Sequence, residues 1–537
     1  MRVPPTTPLS RLAEADFDLL VVGAGITGAC VALDAATRGL RTALVDRADF
    51  GGGATANCLR IVHGGLRYLQ HLDARRSRES IIERSVWLRS APHLVEPLPV
   101  IIPTTRGRFP QPWMLGAALA LDEALSWDRN EGVESERRIP RARVLSRAEC
   151  LALVPALESV DLSGGALFHD AIMYSPERLT LEVVQAAGIA GAVTANHVTF
   201  DGPIITNGRV TGARLRDVLT TEVVEIRTRH IVNATGAAAG EVARQIAGEQ
   251  GSGQQQYSVA LNLVTRVPAD TRAYTVSGGA ADPDRKLGAG GRQLLIVPWR
   301  GQQLIGTAHF PFRGDPTNAV LPDEHVEHFL EEIAAASPPV RITRDDVQVV
   351  QWGLLPVAGP ETSSRVRLLK RHRVIDHGPE GVAGALSVVS VKFTTARRLA
   401  AEIVNRLIGG SRPRTAGPLT MPLPGKPVHS PSSMLADARA RYTRLLPDDV
   451  LEHLVRAYGS RYERVIALSK EVDGGDCRIS PDAPVIFAQL VYGAREEQAR
   501  TAADLLWRRC ELGPRGLVTA EAEREAHRAL TSAHTGD

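Results

Sequence analysis

A glycine turn between two apolar runs is the first stretch of this chain whose residue types and spacing could serve chemistry. Residues 18–22 are apolar enough for a buried strand, and Gly23-Ala24-Gly25-Ile26-Thr27-Gly28 follows directly. An alanine-rich segment and a second apolar run come next, and that run ends in Asp46, 18 residues after Gly28. A glycine turn between strand and helix can cradle a pyrophosphate, and an acid after the second strand can bind a ribose. The stretch therefore predicts a dinucleotide site.

The three glycines of this turn have separate predicted roles. Gly23 makes the tight turn, Gly25 lets a pyrophosphate approach the backbone, and Gly28 lets the helix pack closely on the strand. The helix behind the turn directs free N–H groups and the positive end of its dipole at the phosphates. An ordinary glycine turn in a parallel sheet is the alternative interpretation.

Two further places carry side chains suited to catalysis. His63 and Arg67 are four residues apart beside Gly64 and Gly65, so a short turn could direct both at one pocket. The small, glycine-rich stretch 51–57 before them lets backbone lie against a flat ligand. Lys392 stands out because only five of the 63 basic residues are lysines. A structural histidine and a solvent-exposed lysine are the alternatives.

The elements that must position these residues alternate between strand and helix. Short antiparallel strands are predicted within 194–227. The next apolar run ends in Ala234-Thr235-Gly236 before a helix, and this second turn between strand and helix could also lie against a cofactor. Other predicted strands are 161–173, 259–264, 293–297, 303–307, 347–357 and 385–391. Other predicted helices are 73–91, 113–127, 176–187, 237–247, 322–335 and 393–407. The helix 113–127 is the most apolar, and it is either a core helix or one lying at a membrane surface.

Composition excludes several classes of protein. A net charge of +3 over 537 residues is too small for a nucleic-acid-binding protein. Five cysteines without a CxxC pair indicate reduced cytosolic thiols, with neither disulfides nor a metal site. Residues 1–15 lack the apolar core of a signal peptide, and no apolar run reaches about 18 residues, so we expect no membrane-spanning helix.

Five stretches together resemble the FAD-dependent glycerol-3-phosphate dehydrogenases, and the similarity runs in unbroken order from about residue 18 to about residue 513. The block Ile61-Val62-His63-Gly64-Gly65-Leu66-Arg67-Tyr68-Leu69 is specific to these enzymes. The others are Val21 to Gly28, Ile231 to Gly236, Ile305-Gly306-Thr307 with Arg313 to Pro316, and Lys392-Phe393-Thr394-Thr395-Ala396-Arg397.

The resemblance implies an α/β fold of the glutathione-reductase type, in which a Rossmann-like FAD-binding domain interleaves with a β-sheet substrate domain. The oxidoreductase region is expected at 16–411, a proline-rich linker at 412–431 and a C-terminal helical domain at 432–537. Within the region, FAD-binding segments are expected at about 16–80, 160–250 and 346–411. The substrate-binding sheet is expected at about 81–159 and 251–345.

The resemblance also implies an activity, namely oxidation of sn-glycerol 3-phosphate to dihydroxyacetone phosphate by hydride transfer to flavin, with electrons passed to quinone. A cytoplasmic protein is expected; peripheral contact with the membrane and a homodimer stay open. His63, Arg67 and Lys392 are the predicted catalytic residues, and Tyr68 and Arg371 are predicted to bind substrate. The residues predicted to bind FAD are Gly23, Ala24, Gly25, Ile26, Thr27, Gly28, Asp46, Arg47, Ala54, Thr55, Arg60, Gly64, Gly65, Val198, Ala234, Thr235, Gly236, Lys392, Phe393 and Thr394.

Two departures from the family pattern leave other functions open. Leu355 stands where the family has an arginine expected to touch substrate, and Ser390-Val391 replaces a pair of glycines before Lys392. One alternative is therefore an FAD enzyme acting on a different polyol or polyol phosphate. A second is a flavin-binding protein without catalysis.

Overall fold

The computed structural model describes residues 9–65, 73–105, 112–158, 161–248, 255–268, 271–281, 291–336, 340–358, 366–409 and 422–534. Strands and helices are numbered in chain order. Two sheets lie within these residues, together with helices on the first sheet and a helical C-terminal part.

The first sheet is built around parallel strands. Its members are β1 (Asp16–Val22), β2 (Thr42–Val45), β7 (Val193–Ala195), β8 (Val198–Thr206), β9 (Arg209–Asp217), β10 (Val223–Asn233), β16 (Arg373–Asp376) and β17 (Ala385–Val389). Their order is β16-β17-β10-β1-β2-β7, with β9 also paired to β10 and β8 to β9. The strands β17, β10, β1, β2 and β7 run parallel, and β16, β9 and β8 are antiparallel to their neighbours.

The second sheet is almost wholly antiparallel. Its members are β3 (Ile61–Val62), β4 (Val95–Thr105), β5 (Arg143–Ser146), β6 (Leu162–Met173), β11 (Tyr257–Thr265), β12 (Ala273–Ala281), β13 (Gly291–Trp299), β14 (Gln302–Pro311) and β15 (Val347–Pro356). The order is β15-β11-β14-β13-β12-β4-β6-β3, with β5 on β6. Only the pairing of β12 with β4 is parallel among these described strands.

The helices that the structure describes, apart from single turns, begin and end as follows: α1 (Leu9–Ala13), α2 (Ile26–Thr37), α3 (Ala74–Ser90), α4 (Pro112–Leu125), α5 (Arg147–Leu153), α6 (Pro176–Ile189), α7 (Ala239–Ala247), α8 (Asp323–Ala334), α9 (Ala396–Leu407), α10 (Pro431–Tyr442), α11 (Asp448–Tyr458), α12 (Tyr462–Glu471), α13 (Phe487–Glu496) and α14 (Ala520–His534). None of them combines the length and the apolar character that crossing a bilayer requires.

Strand β1 is buried on both faces, which explains its uninterrupted apolar run. Leu19 and Val21 pack into the core formed with α2, α6 and α9. Leu20 and Val22 enter a second core, formed with β8, β9 and α7. The α/β class and the C-terminal helical domain predicted from the sequence are confirmed.

Some predicted boundaries differ from those of the structure. The predicted helix 393–407 begins at Ala396, because residues 393–395 form a turn that faces the candidate site. Strands β6 and β15 fall within segments assigned to the FAD-binding part, yet both belong to the second sheet. An alternation of apolar residues marks a strand with a buried face, but it does not tell which sheet the strand joins. Half of the predicted linker, residues 412–421, lies outside the described residues.

Buried ion pairs attach the C-terminal helices to the first sheet. Arg178 of α6 donates to both carboxylate oxygens of Glu497, at 2.6 and 2.8 Å, and both side chains are almost wholly buried. The same guanidinium lies over the ring of Tyr458. Removing one partner of such a pair leaves an uncompensated charge in the interior.

We therefore expect Arg178→Ala to destabilise the protein by about 3–5 kcal/mol, which a fall in the thermal unfolding midpoint would report. The matched control is Arg214→Ala, which breaks an exposed pair with Glu225 and is expected to cost at most about 1 kcal/mol. Equal shifts in the two variants would contradict this account of the interface.

Candidate active site

Segments that follow four parallel strands meet at one edge of the first sheet. Val22, the last residue of β1, lies opposite Val45 of β2 and Asn233 of β10. Asn233 in turn lies opposite Ser387, near the end of β17. The glycine turn, Asp46, the Ala234-Thr235-Gly236 turn and the segment 390–395 therefore begin at one level. This edge is where parallel α/β sheets bind ligands.

Backbone fills the space around the glycine turn. Gly23 has a φ of +97°, and a Cβ there would lie 2.8 Å from the carbonyl oxygen of Ala234. A Cβ on Gly28 would lie 1.8 Å from the carbonyl oxygen of Gly23. The tight turn and the close helix packing predicted for these two glycines are thus confirmed.

The first turn of α2 carries no acidic side chain of its own. Gly25 is its N-cap and provides no side-chain hydrogen bond, and the first turn of α2, a fully described helix, contains no acidic residue. Thr55 Oγ1 accepts a hydrogen bond from the Ile26 N–H at 3.2 Å. The remaining N–H groups and the helix dipole suit an anion such as a diphosphate.

Asp46 lies beside this turn at the end of β2. Its carboxylate accepts hydrogen bonds from the N–H groups of Ala24, at 2.7 Å, and Ala48, at 2.9 Å. Its carbonyl oxygen accepts one from the Val198 N–H, at 2.7 Å. Desolvation raises the pKa of Asp46 to about 6, against the effect of the two N–H groups. The side chain is half-buried, and Arg47 beside it is exposed. An acid and an anion-binding helix terminus on one turn fit the ribose and diphosphate of FAD.

His63 lies where the second sheet approaches this edge. The antiparallel pairing of β3 with β6 places Val62 opposite Ala171, so the next residues, His63 and Asp170, are neighbours. His63 Nδ1 lies 3.2 Å from Asp170 Oδ2, and 44% of the His63 side chain is exposed. The imidazole is thus held on one side and open on the other.

Asp170 is buried and contacts three groups. Its Oδ1 accepts hydrogen bonds from the Gly64 N–H, at 2.5 Å, and from Arg84 Nη1, at 3.1 Å. Burial raises the pKa of Asp170, but the contacts with His63, Arg84 and the Gly64 N–H outweigh it, so the pKa lies below its ordinary value. A Cβ on Gly64 would lie 2.1 Å from Arg84 Nη1. A side chain at position 64 would therefore have to displace the Arg84 guanidinium from Asp170.

The turn that precedes α9 contacts the His63 segment. Thr394 Oγ1 accepts a hydrogen bond from the His63 N–H at 3.2 Å, and the Thr394 carbonyl accepts one from Trp87 Nε1 at 3.0 Å. Lys392 is half-buried in the same turn. Burial, and after it the positive charge of Arg76, lower the pKa of Lys392 to about 8. Residues some 330 positions apart are thereby joined at one site.

Other predicted site residues lie elsewhere or outside the described chain. Arg67 and Tyr68 fall in the stretch 66–72, which the structure does not describe. Arg371 is exposed, two residues before β16 at the outer edge of the first sheet. The Arg60 guanidinium is wholly enclosed by protein, where it donates to Glu177 and lies 3.9 Å from the Trp299 ring centroid. It has no surface left for FAD, so the structure contradicts a cofactor contact through this side chain.

Sequence reasoning missed the groups that support His63. Asp170 and Arg84 lie in a predicted strand and a predicted helix, and neither was singled out. The available signal was an acid within the apolar stretch Ala166–Met173, because a buried carboxylate needs a partner. Nothing local indicates that this partner comes from α3.

We expect Asp46→Asn to weaken FAD binding by about 10- to 100-fold, since it exchanges a charged acceptor for a neutral one. Quenching of flavin fluorescence on titration of the apoprotein measures the dissociation constant. Asp201→Asn, which changes an exposed acid paired with Arg216, is the control and should bind FAD as the unaltered protein does. An unchanged dissociation constant for Asp46→Asn would remove this acid from the cofactor site.

Known proteins resemble this chain over most of its length. The chain is 32% identical to a glycerol-3-phosphate dehydrogenase of Synechocystis, over 92% of this chain and 88% of that protein. It is 30% identical to the enzyme of that name from Mycobacterium leprae, over 93% of this chain and 81% of the relative. The crystal structure of a glycerol-3-phosphate dehydrogenase from Bacillus halodurans, complexed with FAD, has the same fold, with a TM-score of 0.71 at 22% identity over 98% of this chain and 96% of that one.

Two family models cover most of the chain. Residues 18–406 match the FAD dependent oxidoreductase family, and residues 419–532 match the C-terminal domain of alpha-glycerophosphate oxidase. The first match contains the glycine turn, His63 and Lys392, and it identifies the cofactor as FAD. The chain is an oxidoreductase that belongs to the family of FAD-dependent glycerol-3-phosphate dehydrogenases.

Proposed function

We propose that this enzyme oxidises sn-glycerol 3-phosphate to dihydroxyacetone phosphate. The observation that carries the proposal is the contact of His63 with both Asp170 and Thr394. It brings a proton acceptor to the turn of Lys392, at the edge of the sheet where FAD binds. The activity named for the relatives supports the same substrate.

Oxidation of a secondary alcohol removes a hydride from carbon and a proton from oxygen. FAD, when bound, supplies the acceptor for the hydride. Of the described residues, we assign the hydroxyl proton to His63, because Asp170 contacts its Nδ1 while part of the ring is open to solvent. A positioned histidine that takes such a proton contributes about 10²–10⁴ in rate.

The phosphate of the substrate requires cations. Lys392 is one, since a group with a pKa of about 8 is mostly protonated at pH 7. Arg67 is a second by resemblance, and a guanidinium matches phosphate with two parallel hydrogen bonds. Arg371, exposed next to the outermost strand β16 of the first sheet, stays a weaker candidate.

Leu355 supports a second candidate, a different polyol or polyol phosphate. A Cβ on Gly353 of β15 would lie 3.4 Å from Ala54 Cα. Residues two apart in a strand point to the same face, so Leu355 lies on the face of β15 that Gly353 turns toward the loop containing Ala54. A leucine there supplies no charge for a phosphate. The intact pairing of His63 with Asp170 argues against the third candidate, a flavoprotein without catalysis.

We further propose quinone as electron acceptor and peripheral contact with the cytoplasmic membrane face. Supporting the membrane contact, Leu121 of α4 and Trp127 just beyond it are exposed by 49% and 78%. Large apolar side chains at a helix surface suit an interfacial position. The homodimer stays a prediction.

Anaerobic titration tests the substrate directly. Adding sn-glycerol 3-phosphate to the oxidised holoenzyme is expected to bleach the flavin absorbance, and His63→Asn is expected to slow bleaching by about 100-fold or more. Glycerol and other polyol phosphates serve as comparison substrates. Bleaching by one of these, but not by glycerol 3-phosphate, selects the second candidate, and no bleaching by any of them selects the third.

The lowered pKa of Lys392 leads to a separate prediction for the pH dependence of KM. Because deprotonation removes a positive charge from the site, KM for the phosphate ester is expected to rise as pH increases through about 8. Lys392→Arg, whose side chain stays charged, is expected to lose this rise. If both proteins show the same pH dependence of KM between pH 7 and 9.5, Lys392 does not bind the phosphate.

A further inference from the structure

We propose that Asp170 is a positioning residue for proton transfer, one that holds His63 in the tautomer and orientation in which Nε2 accepts the substrate's hydroxyl proton. This inference rests on the proposed function, because it assigns the proton to His63. It adds a residue that does not itself touch substrate.

Both oxygens of Asp170 act on the His63 segment. Oδ2 contacts the His63 ring at Nδ1, at 3.2 Å, and Oδ1 accepts the N–H of the next residue, Gly64, at 2.5 Å. One carboxylate thus fixes a side chain and the backbone that carries it. The His63 N–H is held from the other side by Thr394 Oγ1. The imidazole is therefore restrained at the ring and at both adjacent peptide groups.

The charge of Asp170 determines which ring nitrogen carries the proton. Arg84 Nη1 lies 3.1 Å from Oδ1 and compensates the carboxylate in the interior, so Asp170 accepts hydrogen bonds and donates none. An accepting carboxylate requires the proton on Nδ1, which leaves the lone pair on Nε2. During reaction the substrate O–H bond breaks and an Nε2–H bond forms. Asp170 stays ionised and stabilises the imidazolium, which returns its proton to solvent at the open side.

A purely structural role for Asp170 is the competing explanation, because a buried ion pair with Arg84 also holds β6 against α3. The two explanations differ in what they require of His63. A positioning role changes how readily the ring takes up a proton, whereas a structural role changes only stability and packing.

Other ionisable groups face this pair. Asp122 of α4, whose pKa burial raises to about 6, interacts electrostatically with Arg84 and Asp170. His169 of β6 and Arg129 beyond α4 belong to the same cluster, and burial lowers the pKa of His169 to about 4. Because Asp122 titrates in the range expected for a histidine, the pH dependence of the rate alone cannot identify His63. The measurement must report on that ring itself.

The test is Asp170→Asn in the holoenzyme, with two readouts. The first is anaerobic flavin reduction by substrate, from which kcat is expected to be lower by about 100-fold or more. KM and the dissociation constant of FAD are expected to stay within about twofold. The visible absorbance spectrum of the bound flavin is expected to be unchanged. The second is carbethoxylation of His63 by diethyl pyrocarbonate, which attacks only the unprotonated ring and is followed by peptide mass spectrometry. Its pH midpoint is expected to differ from that of the unaltered enzyme, because the negative charge beside Nδ1 is gone.

Glu83→Gln is the matched control. Glu83 lies next to Arg84 on α3, is equally buried, and binds Arg397 through both oxygens, the Nε contact being 3.0 Å, without contacting His63. It should lose stability yet keep kcat within a few-fold and the midpoint of His63 unchanged. If Asp170→Asn does not fold, the double variant Asp170→Asn, Arg84→Gln removes both buried charges and is measured in the same way.

The outcomes separate this inference from the proposed function. An unaltered kcat or an unaltered midpoint in a folded Asp170 variant overturns the positioning role. If glycerol 3-phosphate does not bleach the unaltered enzyme, only the proposed substrate is overturned. Both readouts can then be taken with whichever polyol phosphate does reduce the flavin. A fall in kcat that Glu83→Gln reproduces assigns Asp170 to structure and likewise overturns the inference.

Discussion

The close approach of two backbone turns is the constraint on which the cofactor site depends. Gly23 and Ala234 come so near that no side chain fits between them. The two turns lie at the carboxyl ends of the paired strands β1 and β10, beside the N-terminus of α2. Asp46 reaches back to the same turn through the Ala24 N–H. The anion-binding groups are therefore placed by main-chain packing, which is stiffer than any arrangement of side chains.

A second set of contacts supports this edge from the C-terminal domain. Arg509 donates to both oxygens of Asp49, at 2.5 and 3.0 Å, and Asn196 also binds that carboxylate, at 2.8 Å. Asp49 follows Asp46 by three residues, and Asn196 precedes Val198 by two. The helical domain thus supports the segments that border the proposed ribose end of the cofactor site. Buried charges are costly unless each is paired, so these contacts require the domain to dock in one position.

Burial acts in opposite directions on the two ends of the site. At the proposed ribose end, desolvation raises the pKa of Asp46, and near the proposed substrate end it lowers the pKa of Lys392. Both shifts show that burial disfavours the charged forms of Asp46 and Lys392 when no ligand is bound. Hydroxyl donors on a ribose or a negative phosphate offset that cost, because each stabilises the charge that burial disfavours. These buried charges therefore favour ligands whose polar groups replace the water that burial has removed.

The sequence by itself determined the dinucleotide-binding turn, because that turn follows from local rules, and its resemblance to a known family indicated the fold. Gly23 and Gly28 mark a turn that only glycine can make, and Asp46 stands at a fixed distance from them. The apolar periods of α3, α6 and β6 predicted those elements nearly to their ends. His63 and Lys392 were singled out from their neighbours in the chain.

Only the tertiary structure decided the rest, because it depends on which distant segments pack together. Register between β3 and β6 places Asp170 beside His63, and α3 brings Arg84 to that carboxylate. The predicted contact of Arg60 with FAD fails for the same reason, because its guanidinium forms a buried ion pair with Glu177. The sequence gives the type of each side chain, but strand register and helix packing between distant segments decide its partner.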